Sequence, residues 1–146
     1  MPYGLSAEEI EWLRDGYRLF REGDPAFMDR FADDAKITIP RTAAGGGTFD
    51  NPLEALETTA AVGELFDDPH PDPEEFLRVE DCVIVIGTWR ARSLQSGEKI
   101  TARFVHLLRY GDADAPVNDQ RADSFENVLE TGPIVEEIGP APPASA

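Results

Sequence analysis

Apolar side chains recur at Ile10, Leu13, Tyr17 and Phe20, the spacing of one buried face of an α-helix. Ser6, with Glu9 three residues on, forms a capping box that starts this helix, because each side chain satisfies a backbone N–H the first turn leaves unpaired. Gly23 can take the left-handed conformation that ends it, Asp24 can cap a second helix, and Pro25 suits that helix's first position. The pattern predicts a helix, a sharp corner, a short second helix, a turn at Asp33-Asp34-Ala35 and a strand reaching Pro40. A third helix is predicted from Pro52, capped by Asn51 with Glu54 in its first turn. Its expected packing face is Leu53, Leu56, Ala60 and Leu65.

From Phe76 the pattern changes to strands, at 76–81, 82–93, 99–110 and roughly 118–128, joined by turns at 95–98 and 111–117. Consecutive strands with short turns imply an antiparallel meander, and helices covering one face give an α+β fold. The glycine-rich segment TAAGGGTFD lacks the Lys-Ser/Thr pair of a phosphate loop and reads as a flexible connection or a rim over a pocket mouth. The segment DDPHPDPEE reads as a proline-punctuated loop with His70 in solvent and too few ligands nearby for a metal. The terminal GPAPPASA suits neither helix nor strand and is expected to be disordered.

Three segments in this order, YRLFREGDPAFMDRFADDAKITIP, CVIVIGTWRAR and KITARFVHLLRY, resemble the nuclear transport factor 2-like superfamily, in its SnoaL-like and ketosteroid isomerase-like branches. The similar segments span most of residues 8 to 127. The resemblance implies a cone-shaped, strongly curved, mostly antiparallel sheet with three helices packed on its concave side. It also implies a mouth that holds a small hydrophobic molecule and an outer face that forms a homodimer. One SnoaL-like domain is expected over 1–138, followed by the tail at 139–146.

Composition narrows the partners. A chain of 146 residues supports one core, and its single cysteine, Cys82, excludes an intrachain disulfide and a cysteine metal cluster. A formal charge of −16 would repel phosphate backbones and anionic membrane surfaces, so neither nucleic acid nor membrane is expected as a partner. No segment reads as a signal peptide or membrane span, and a cytoplasmic location is expected. No cofactor fingerprint is present.

Strand alternation locates candidate site residues. With Trp89 inward, Val83, Val85, Gly87 and Ala91 share its face, and the family register adds Arg103, Val105 and Leu107 from the next strand. An inward Arg103 calls for a carboxylate partner, with Asp123 and Asp119 available; the alternative is a hydrated arginine at the rim. The resemblance places the three ketosteroid isomerase catalytic positions at Gly16, Ile39 and Val105. None of these can do that proton transfer, so that mechanism is not expected.

The SnoaL-like cyclases imply an acid on the last strand and a nearby histidine, matched here by Phe104-Val105-His106. If Phe125 takes the last-strand tyrosine position, its flanks are the neutral Ser124 and Asn127; a slip of one residue brings in Asp123. His106 either faces the cone or hydrogen-bonds across a dimer. The candidate catalytic residues are therefore Asp123, Arg103 and His106, and the candidate ligand-binding residues Tyr17, Phe20, Trp89, Val105 and Phe125. Two functions remain open: a cyclase, isomerase or hydrolase using acid/base chemistry, or a domain that binds a small hydrophobic metabolite without turning it over.

Overall fold

A computed structural model describes residues 4–42 and 45–139. The expected tail, apart from Gly139, and Ala43-Ala44 of the glycine-rich segment lie outside the described residues. Helix α1 (Ala7–Glu22) begins and ends as its sequence signals predict. Glu9 N donates to Ser6 Oγ at 3.1 Å, Ser6 N donates to Glu9 Oε1 at 3.0 Å, and Gly23 terminates the helix at φ +70°. The short second helix is a 3-10 turn, Pro25–Arg30, capped by Asp24. It leads into β1 (Phe31–Thr42), which begins where a turn at Asp33-Asp34-Ala35 is expected. A shift in pairing between Phe31 and Lys36 absorbs those acids within the strand.

The remaining elements are β2 (Gly45–Phe49), α2 (Pro52–Leu65), β3 (Phe66–Val79), β4 (Cys82–Ser93), β5 (Lys99–Tyr110), β6 (Ala122–Leu129) and α3 (Gly132–Ile138). The strands form one open sheet in the order β2-β1-β6-β5-β4-β3. All pairings are antiparallel except β1 with β6, which closes the order by a parallel contact. The fold is therefore α+β with a mostly antiparallel sheet, as predicted. A principal core of Leu13, Phe31, Ile37, Val83, Val85, Phe104 and Leu108 lies between sheet and helices. A second cluster of Phe66, Ala91, Ile100, Ala102 and Ile134 sits under α3, a helix the sequence pattern did not announce.

Four expectations need correction. The proline-punctuated segment is strand, because β3 is the edge of the sheet and an edge strand tolerates prolines at positions that need no donor. Two register shifts, at Asp67/His70 and Pro73/Glu75, fit Pro69, Pro71 and Pro73 into it. His70 is consequently sheltered, its side chain 11 % exposed and its Nδ1 donating to the Asp68 carbonyl at 2.7 Å. The described part of the glycine-rich segment is the opposite edge strand β2, whose three glycines have φ of +118°, +124° and +129°, values that no strand pattern reveals.

The packing face of α2 is Pro52 and Ala55, with Leu53 63 % exposed, because the helix rests on the sheet one residue round from the predicted stripe. Residues 117–119 form a 3-10 turn, so the last strand starts at Ala122.

Candidate functional site

Sheet and helices enclose a cavity of about 230 Å³. Helix α1 supplies Trp12, Tyr17 and Phe20; the 3-10 turn supplies Phe27 and Arg30; β4 contributes Trp89; β5 contributes His106, Leu108 and Tyr110; β6 contributes Phe125, Asn127 and Leu129. Ile134 and Ile138 of α3 complete the wall. Among the described residues lining it there is no aspartate or glutamate.

Pairing decides which β5 side chains reach this cavity. Val85 lies opposite His106, Gly87 opposite Phe104 and Trp89 opposite Ala102. Directly paired residues share a face, so the even-numbered residues of β5 join the Trp89 face. Ala102, Phe104, His106, Leu108 and Tyr110 are all buried. Trp89 is inward with Val83, Val85, Gly87 and Ala91, as predicted, but Arg103, Val105 and Leu107 point to the outer face. The register carried over from the family is off by one residue, and in a strand one residue exchanges the two faces.

Arg103 is thus not a cavity residue. Its side chain is 54 % exposed, and its Nη1 donates to Glu74 Oε1 at 2.9 Å and Thr88 Oγ1 at 2.8 Å. Neither Asp123 nor Asp119 is its partner. Val105 likewise does not line the cavity. Asp123 is exposed, at the irregularity where the β5–β6 register shifts between Arg109 and Tyr110. Ser124 pairs with Arg109 on the outer side, while Phe125 and Asn127 face the cavity.

His106 is inside, 4 % exposed. That placement removes the reading in which it hydrogen-bonds across a dimer. Its Nδ1 is 2.7 Å from the Tyr17 hydroxyl, a bond either group can donate. The ring lies parallel to Tyr17, at 5.7 Å between centroids, stacks on Phe104 at 4.1 Å and leans on Phe125 at 4.7 Å. Burial drives its pKa down to about 3, with the nearby Asn127 amide opposing weakly. Burial also pushes the Tyr17 hydroxyl well above the usual range and the Tyr110 hydroxyl well above it too. At neutral pH, His106 and both tyrosines are uncharged.

Of the sequence candidates, the fold brings together Tyr17, Phe20, Trp89, His106 and Phe125, and leaves Arg103, Val105 and Asp123 outside. It adds Arg30, Tyr110 and Asn127. The Asn127 Oδ1 is buried without a hydrogen-bond partner among the described residues. Arg30 stacks on the Trp12 ring at 4.1 Å. Among the described residues no cluster of three His, Cys, Asp or Glu side chains could hold a metal. No helix among the described residues is long and apolar enough to cross a membrane.

No protein-family model matches the sequence, and no curated protein matches it significantly. Solved structures do. An NTF2-like protein of unknown function from Burkholderia pseudomallei superposes with a TM-score of 0.75 at 24% identity, covering 91% of this chain and 98% of that one. TerC, co-crystallised with polyporic acid, superposes at 0.72 with 26% identity, covering 89% and 97%. A SnoaL-like candidate polyketide cyclase from Shewanella denitrificans gives 0.66 at 14% identity, covering 90% and 97%. The chain therefore has the nuclear transport factor 2-like fold that its sequence resemblance implies, in the company of SnoaL-like structures.

Proposed function

We propose that this chain is a single SnoaL-like domain, spanning 1–138, whose cavity binds a small, flat, hydrophobic metabolite. The observation that carries this reading is the wall itself: rings from seven elements, Trp12, Tyr17, Phe27, Trp89 and Phe125 among them, face a common space of about 230 Å³. Aromatic faces stack on planar apolar ligands, and a few polar groups fix their orientation. TerC, with the same fold, was crystallised with polyporic acid. Native mass spectrometry of protein purified from its own host tests the reading. A retained aromatic metabolite that a Trp89→Ala variant no longer carries supports it, and an empty wild-type cavity that no planar hydrophobic probe enters rejects it.

A second reading, catalysis of the cyclase, isomerase or hydrolase type, is favoured by the Tyr17–His106 pair at 2.7 Å beside Asn127. With Asp123 and Arg103 on the outer surface, this reading rests on His106. A neutral imidazole can accept or relay a proton in a desolvated site. Turnover of the retained metabolite that His106→Gln abolishes, with binding kept, supports catalysis; binding without turnover leaves the carrier.

We further propose that a homodimer forms through the outer sheet face, where Ile84, Ile86, Val105 and Leu107 cluster near Val128, itself 51 % exposed. Light scattering after size exclusion tests it. The charge of −16 weighs against nucleic-acid and anionic-membrane partners.

A further inference from the structure

We infer that one end of the cavity is an oxyanion-binding pole, built from Arg30 and the Tyr110 hydroxyl with Tyr17 beside them, and that the ligand is an aromatic carboxylate. The inference rests on the proposed ligand-binding role of the cavity and adds the chemical class of what it takes.

Tyr110 is 2 % exposed and lines the cavity, yet its hydroxyl makes no hydrogen bond among the described residues. The hydroxyl oxygen is not among the sealed, unpartnered side-chain atoms of the described residues, which are Asn118 Oδ1 and Asn127 Oδ1, so it opens onto the cavity space, where a ligand or water can take its hydrogen bond. Arg30 is the only formally charged residue among the described residues lining the cavity. Its side chain is 17 % exposed, its plane is fixed against the Trp12 ring, and its Nη1 donates to the Trp12 carbonyl at 2.6 Å.

Counter-charge for Arg30 is thin. Its one carboxylate, Asp15, lies 3.3 Å away and is held more closely by Arg18, at 2.5 Å. The guanidinium has five N–H donors in a rigid fork; one is taken by Trp12 and one shared with Asp15, which leaves donors for a further acceptor. Gly16 borders the same space, and a Cβ there would lie 3.4 Å from Arg30 Nη1, an ordinary contact. Arg30 and Tyr110 act on each other electrostatically, as do Tyr110 and Tyr17. All three groups line the one cavity. A fixed cation and a free phenol O–H, set in an otherwise apolar wall, suit an anionic oxygen on a hydrophobic body better than a neutral hydroxyl.

The test is titration calorimetry of the whole chain with 2-naphthoate and with its uncharged counterpart 2-naphthol at neutral pH. 2-Naphthoate is expected to bind about tenfold more tightly, the margin of a charge-assisted pair over a neutral hydrogen bond. Tyr110→Phe should weaken 2-naphthoate about fivefold and leave 2-naphthol unchanged, since only the anion uses the O–H fully. Arg30→Gln should erase the preference. Circular dichroism melts verify that both variants fold, and the wild-type comparison needs neither. If 2-naphthol binds as tightly as 2-naphthoate, the oxyanion pole is overturned while the hydrophobic pocket stands. If neither probe binds, both fall.

Discussion

The Tyr17 hydroxyl meets His106 Nδ1 at 2.7 Å, joining the first helix to the centre of the sheet across 89 residues of sequence. His106 is buried, Tyr17 is partly buried against it, and both are neutral, so the bond is made in surroundings of low polarity on the cavity wall. Tyr17→Phe removes the hydroxyl and leaves the imidazole nitrogen unpaired in an aromatic box with Phe104 and Phe125. A loss of about 1–3 kcal/mol is expected, the cost of stranding a buried polar atom. Urea unfolding of Tyr17→Phe, His106→Gln and the double variant reads it. Additive effects of the two single changes would show that the contact carries no energy.

The same histidine sets the acid limit of stability. Its pKa is about 3 in the fold against 6.5 when unfolded. A base with a depressed folded pKa binds fewer protons in the native state, so its full contribution is present above pH 6.5 and drains away as pH falls toward 3. The drain over that interval is on the order of 4 kcal/mol, the free-energy equivalent of such a shift. Glu9 behaves differently. Burial pushes it up, but hydrogen bonds from the Ser6 and Val117 backbone N–H groups hold it below 4.5, so its share is lost only in more acidic solution. Unfolding midpoints between pH 7 and pH 5 should therefore fall in wild type and stay level in His106→Gln.

What could be read without the fold was what is local. Caps at Ser6, Asp24 and Asn51 depend on neighbours two or three residues away, and all three helices they announce are present. The inward face of β5 depends on pairing, and the register borrowed from relatives inverted it. The strand's own composition held the answer: Lys99, Thr101, Arg103, Val105, Leu107 and Arg109 share one parity, while Ile100, Ala102, Phe104, His106, Leu108 and Tyr110 share the other. All three of the strand's formal charges fall on the first face and none on the second, whatever the register. That signal would have put His106 in the cavity and Arg103 outside. Arg30 and Tyr110 had no such signal, because 80 residues of chain separate two groups that only the folded sheet brings to one cavity.

Gly87 is where strand β3 presses on the sheet. A Cβ there would sit 2.2 Å from the Asp72 carbonyl oxygen and 2.6 Å from the Phe104 ring. Backbone cannot step aside cheaply, and Phe104 is fully packed at 2 % exposure. Gly87→Ala should destabilise the protein by about 1–3 kcal/mol through overpacking, and, because Phe104 stacks on His106, it should also perturb the near-UV circular dichroism of the aromatic cluster. A variant as stable as wild type would mean that β3 is not seated there.

Arg78 holds the opposite end of the sheet to the loop after β5. It is 9 % exposed, and its guanidinium donates to the carbonyls of Glu80, Ala115, Asp112 and Ala113 at 2.8 to 3.0 Å. A fifth contact reaches Glu9 Oε2 at 3.4 Å, the carboxylate that also caps α1 and accepts from Val117 N at 3.1 Å. One planar fork thus ties α1, β3 and residues 112–117 together. Arg78→Ala strands four carbonyls and a partly buried carboxylate at once, and a loss of about 3–5 kcal/mol is expected, as when one partner of a buried ion pair is removed. Arg78→Lys keeps the charge but offers only three donors from a single point, so it should recover less than half of that loss. Hydrogen exchange separates this role from a general effect on stability: in Arg78→Lys, protection should fall first at Val117 and along 112–117, while the amides of β4 and β5 around His106 keep their wild-type order. Uniform loss of protection across the sheet would show instead that Arg78 is one more core residue and not the tether of this loop.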